Sequence, residues 1–168
     1  MSLARVKEKE KEKVETQPND HDLRQRSGSK GAGLSGSTKV ILQNFPQVCL
    51  HQFAAKIQKR LEFLIRDLQF DGEELNRDSF ISFIHFLNRY TQSNYPDIMV
   101  DNKNLIHCEW KIPSQKAVVV LVFQKDQLAK YLVKKEDKKQ VLYSGGTQDF
   151  HHISQILTID SEIAQCFR

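Results

Sequence analysis

Leu105-Ile106-His107-Cys108-Glu109-Trp110-Lys111-Ile112, then Pro113-Ser114-Gln115-Lys116, then Ala117-Val118-Val119-Val120-Leu121-Val122-Phe123, is the stretch on which the fold turns. In the first segment Ile106, Cys108, Trp110 and Ile112 share one side of a strand, and Leu105, His107, Glu109 and Lys111 share the other. The last segment is apolar throughout and mostly β-branched, which suits a central strand covered on both faces. The link between them is too short for a crossover, so the two strands pair antiparallel. Trp110 reads as a core anchor whose indole N–H needs an acceptor.

The period of two continues on either side. Residues 98–100 form a short strand and Asp101-Asn102-Lys103-Asn104 a turn. After a turn at 124–127, strands at 128–134 and 140–144, joined through Glu136-Asp137-Lys138-Lys139, complete a meander. Gly145-Gly146-Thr147 reads as a turn opening a last helix, capped by Thr147 or Asp149, with Phe150, Ile153, Ile156 and Leu157 on one face. Asp160 or Ser161 caps a short tail helix reaching Phe167.

Before residue 97 the period is helical. Over 46–69, Leu50, Phe53, Ala54, Ile57, Leu61, Leu64, Ile65 and Leu68 form one apolar stripe, with Pro46 in the first turn and Gly72 past the end. A second helix starts at Asn76 or Asp78 and runs to Tyr90. Its Phe80, Ile81, Phe83, Ile84, Phe86, Leu87 and Tyr90 cover more than one face. Such a helix is either buried between the first helix and the sheet or turned toward a partner. The expected architecture is α+β: two N-terminal helices, an antiparallel four- to five-stranded meander and a C-terminal helix, in two layers.

Residues 1–38 carry a Lys/Glu alternation and then a Gly/Ser-rich run, with too little apolar surface to offset the entropy of ordering. They read as a disordered polar tail or linker, and 39–168 as a single domain. Of 168 residues, 25 are Lys or Arg and 21 Asp or Glu, giving +4, and the excess is split evenly between tail and domain. A nucleic-acid domain would cluster its basic residues. The longest apolar run, 117–123, is too short to cross a bilayer, so no membrane partner is expected. The N-terminus carries no signal-peptide core, and Cys49, Cys108 and Cys166 are odd in number and widely spaced, which points to a reducing cytoplasm.

Phe70-Asp71-Gly72, the helix of 77–90, Pro96-Asp97-Ile98-Met99-Val100 and Leu105-Ile106-His107-Cys108-Glu109-Trp110 resemble a set of small bacterial proteins without assigned activity. These share a helix, a Pro-bearing strand, a tight turn and a Trp-bearing strand. The resemblance covers residues 60–145, with Asn102-Lys103-Asn104 where that group tends to carry Asp-Gly. It implies a fold and a bacterial or mobile-element origin, and transfers no reaction.

No chemical motif is strong. Cys49-x-His51 and His107-Cys108 lack zinc spacing, and alternation sends His107 and Cys108 to opposite faces, so no metal and no cofactor are expected. His151 and His152 start a helix near Asp149, which leaves a small His-based enzyme as one alternative. Gly145-Gly146-Thr147 fits neither phosphate-binding pattern. Lys125, Lys130, Lys134, Lys135, Lys138 and Lys139, with Tyr131 and Tyr143 nearby, read either as edge-strand protection or as a nucleic-acid contact, the second alternative. The leading expectation is a non-enzymatic protein-interaction module, an accessory or neutralising subunit of a bacterial complex. Its partner would sit on Phe80, Phe83, Phe86 and Tyr90 or on a sheet edge. The sequence leaves the oligomeric state open.

Overall fold

The computed structural model describes residues 36–137 and 140–167. Residues 1–35 of the expected tail lie outside the described residues, as do Lys138 and Lys139. Helices α1 (Gly36–Gln43), α2 (Phe45–Val48), α3 (Ala54–Phe70) and α4 (Arg77–Arg89) precede five strands. These are β1 (Asp97–Val100), β2 (Ile106–Ile112), β3 (Ala117–Phe123), β4 (Leu128–Asp137) and β5 (Gln140–Asp149). Helices α5 (Phe150–Ile159) and α6 (Ser161–Gln165) end the chain. The sheet is a plain antiparallel meander, β1-β2-β3-β4-β5. The α+β class and the meander stand as expected.

The helices lie on one face. Ile106, Cys108, Trp110 and Ile112 are all buried there, and Trp110 Nε1 donates to the Asn94 carbonyl at 2.8 Å. Across the sheet Cys108 faces Leu121 and Trp110 faces Val119, which continues that side. Among the described residues the other face carries no helix: in β3, Val118, Val120 and Val122 are half-buried while their neighbours are buried. The expectation of a strand covered on both sides is corrected here. Uniform β-branched apolarity marks a strand inside a sheet, and does not require a second layer.

Helix α4 is the centre of the core. Asn76 caps it, accepting from the Ser79 N–H at 3.0 Å. Ser79 Oγ accepts the Ile106 N–H at 2.8 Å and Ser82 Oγ the Gln127 N–H at 3.3 Å, so two small hydroxyls fasten the helix to the sheet. Phe80, Phe83, Phe86 and Tyr90 are all buried. Phe80 stacks on Phe45, Phe83 meets Phe123, and Phe86 meets Trp110 and Phe150. The apolar excess on this helix thus faces α2 on one side and the sheet on the other.

The first expected helix, over 46–69, is interrupted. Residues 49–53 run between α2 and α3 as a non-helical link, and Leu50, placed on the buried stripe by its spacing, is 69% exposed. Partners remote in sequence satisfy the link. Asn88 accepts from Leu50 N–H at 2.7 Å and donates to Val48 O at 2.9 Å, and Gln52 N–H donates to Thr91 O at 2.9 Å. Helix α1 starts at Gly36, so the last residues read as tail are helical and Thr38 is buried.

His51 locks this link. Its Nδ1 accepts from Phe53 N–H at 3.1 Å, so the neutral ring carries its proton on Nε2 and donates to Ser93 Oγ at 2.8 Å. Burial pushes the His51 pKa below the usual imidazole value. The unfolded chain therefore binds that proton more readily. The stabilisation is complete above about pH 6.5 and is lost as pH falls through the lower folded value. In urea unfolding, the stability advantage of wild type over His51→Asn should shrink as pH drops through that window. An advantage that grows on acidification would contradict this account.

Candidate functional site

The two edges of the sheet differ, and the difference follows from strand register. Gln124 N–H donates to Leu128 O at 2.8 Å, and Glu136 N–H to Lys116 O at 3.2 Å. Even-numbered residues of β4 therefore bond to β3, and odd-numbered ones to β5. Tyr131 pairs with Gly146, Val133 with Ser144 and Lys135 with Leu142. Leu142, Ser144, Gly146 and Gln148 thus point their backbone groups at β4. Val141, Tyr143, Gly145 and Thr147 point theirs away from the sheet. Among the described residues no backbone bond outside the β4 ladder reaches those four.

At the opposite edge, Asp101 N–H donates to Leu105 O at 3.0 Å, so the odd residues of β1 face β2 and Ile98 faces away. There Arg60 of α3 donates from Nε to the Ile98 carbonyl at 2.9 Å. Charge also guards this side: Lys111 bridges Asp97 at 3.1 Å and Glu109 at 3.3 Å.

Among the described residues, edge β5 has neither device. From Gln140 to Gln148 it carries no charged residue and no proline, and all nine positions are exposed. Unprotected edges of this length are normally blunted by lysine, proline or a bulge. Among the described residues, the lysines expected to do so lie elsewhere. Lys130, Lys134 and Lys135 are on β4, an interior strand, and Lys125 is on the β3–β4 turn.

Beside the edge runs an apolar groove of about 320 Å³, lined by Val133, Leu142, Ile156, Ile159 and Ile163, with Lys135 and Asp160 at its rim. Ile159 is 83% exposed and Tyr143 65%. Lys135 and Asp160 form an ion pair that ties β4 to the start of α6.

The strand itself is longer than its composition suggests. β4 extends to Asp137 and β5 to Asp149, so Gly145-Gly146 is not the expected turn before a helix. Both glycines sit in the ladder for close approach. A Cβ on Gly145 would meet Tyr131 O at 3.1 Å, and one on Gly146 the Tyr131 ring at 3.3 Å. The helix cap is Asp149, which accepts from His152 N–H at 2.9 Å.

The other expected sites do not assemble. Phe80, Phe83, Phe86 and Tyr90 are core side chains and offer no surface to a partner. In the lysine set, Lys130 and Lys134 project from the helix-free face, whereas Tyr131 and Lys135 project toward the helices. Lys125 meets Asp126 at 4.0 Å, Lys134 meets Glu136 at 3.4 Å and Lys135 meets Asp160. His152 Nδ1 lies 2.9 Å from Asp149 Oδ2, and both groups are solvent-facing. The two His152 hydrogen bonds, backbone first, pull the Asp149 pKa down. Cys49, Cys108 and Cys166 are buried thiols, whose pKa values burial pushes up. Among the described residues, no group of His, Cys, Asp and Glu is placed to hold a metal ion, and no helix is long and apolar enough to cross a membrane. The sequence signal that marks edge β5 is the run of uncharged residues from 140 to 148. No protein family, curated protein or solved structure matches the chain.

Proposed function

We propose that this chain is a non-enzymatic protein-interaction module, an accessory subunit that docks another polypeptide as an added strand on β5. The observation that carries this reading is the contrast between the edges: at one, Arg60 holds the Ile98 carbonyl beside a charge cluster, and the other presents, among the described residues, four residues of unpaired backbone beside an apolar groove. In strand addition, main-chain hydrogen bonds supply affinity and pockets for alternate side chains supply specificity. β5 offers both: outward N–H and C=O groups on Val141, Tyr143, Gly145 and Thr147, and the groove lined by Leu142 and Ile159.

Selection of displayed ten-residue peptides on the full chain tests this. Extended sequences with alternating apolar residues should be enriched, and they should lose binding to Thr147→Pro, which removes one outward N–H and spares the β4 ladder. Binders that ignore this substitution, or no binders at all, would overturn the reading.

A further inference from the structure

We infer that the strand β5 receives is β5 of a second copy of this chain, joining two five-stranded sheets edge to edge. The inference rests on β5 being the docking edge, and goes further by naming the occupant.

A two-fold axis perpendicular to the sheet relates antiparallel neighbours and keeps each face on its own side. With that axis through Ser144, Tyr143 of one copy lies opposite Gly145 of the other, and Val141 opposite Thr147. All four are residues whose backbone groups point away from β4, so the new ladder uses only donors and acceptors that are unpaired among the described residues. The Tyr–Gly pairing repeats one the chain already contains, since Tyr131 lies opposite Gly146 with its ring against the space a Cβ would fill. Self-pairing thus repeats a packing solution already present within the sheet.

Charge does not oppose the joint. No ionised side chain lies between Gln140 and Gln148. Lys130 and Lys134 stand one strand back, so the lysines of the two copies are three strand spacings apart, about 14 Å. That exceeds the screening length of about 8 Å at physiological salt. The helices fit as well. Helix α5 packs over β4 and β5, which sets the two copies of α5 about 10 Å apart, a normal helix-packing distance. Ile159, otherwise exposed, then lies near the seam.

Sedimentation equilibrium of the full chain over a concentration series reads the outcome. The wild type should approach twice the 19.5 kDa chain mass as concentration rises. Tyr143→Lys, which puts like charges at the seam, and Thr147→Pro should remain at the single-chain mass with unchanged circular dichroism. A wild type that stays at single mass at several hundred times the concentration used for peptide binding would overturn the inference; so would a dimer that both substitutions leave intact. If the wild type stays single while selected peptides bind in a Thr147-dependent way, the second-copy inference alone fails. If neither self-association nor edge-dependent peptide binding occurs, the docking reading fails with it.

Discussion

Phe86→Ala is expected to lower the unfolding free energy by about 3–5 kcal/mol, the range for emptying a large aromatic site in a core. Phe86 is fully buried, and its ring lies 4.6 Å from Tyr90, 5.3 Å from Phe123, 5.5 Å from Phe150, 5.9 Å from Trp110 and 6.3 Å from Phe167, centroid to centroid. These partners come from the residue just past α4, β3, the start of α5, β2 and the residues after α6, so no single element can move in to fill the hole. Domains of this size are stable by only about 5–15 kcal/mol, so the change removes a large share of the total. Urea unfolding should show a lower midpoint at unchanged slope. Phe86→Leu, a smaller deletion, provides a folded reference should the alanine variant fail to fold. Phe63→Ala, at an exposed position of α3, should stay within about 0.5 kcal/mol. Equal, small losses at Phe86 and Phe63 would place Phe86 on the surface and reopen the helical face as a binding site.

The same helix shows why part of the fold was legible and part of the site was not. Alternation over 105–112 fixed the inward face, and Trp110 found the acceptor its indole required. The aromatic positions of α4 were visible too, but a residue pattern records how many faces are apolar and not what covers each. Phe45, which stacks on Phe80, sits in a four-residue helix too short to announce itself. The break at 49–53 was hidden for a related reason. The apolar spacing continues across it, and the groups that stabilise the non-helical backbone, Asn88 and Ser93, are some 40 positions away. At β5 the local chemistry misled: paired glycines before an Asp favour a turn, and only the Tyr131 carbonyl and ring across the ladder explain them as strand residues. Which strand is outermost is a property of pairing order, so Lys130, Lys134 and Lys135 read as edge residues although they lie on an interior strand.

The second large effect belongs to the backbone of β5. In dilute solution the amides of Leu142, Ser144, Gly146 and Gln148 bond to β4 and should exchange slowly with solvent deuterium. Those of Val141, Tyr143, Gly145 and Thr147 point away from the sheet and should exchange nearly freely. An added strand closes those four and no others on this element. A strand present at about 100 times its dissociation constant should slow their exchange about 100-fold, the protection that mass action then supplies. Thr147→Pro removes one of the four and should weaken the protection at the other three. Residue-resolved amide exchange across a dilution series, repeated with a selected peptide, is therefore the most direct measurement. The expected result is an alternating pattern when dilute, with the four odd-numbered amides becoming protected as the chain is concentrated or the peptide is added. Odd-numbered amides that stay unprotected under both conditions, or that already match their even-numbered neighbours when dilute, would contradict the account.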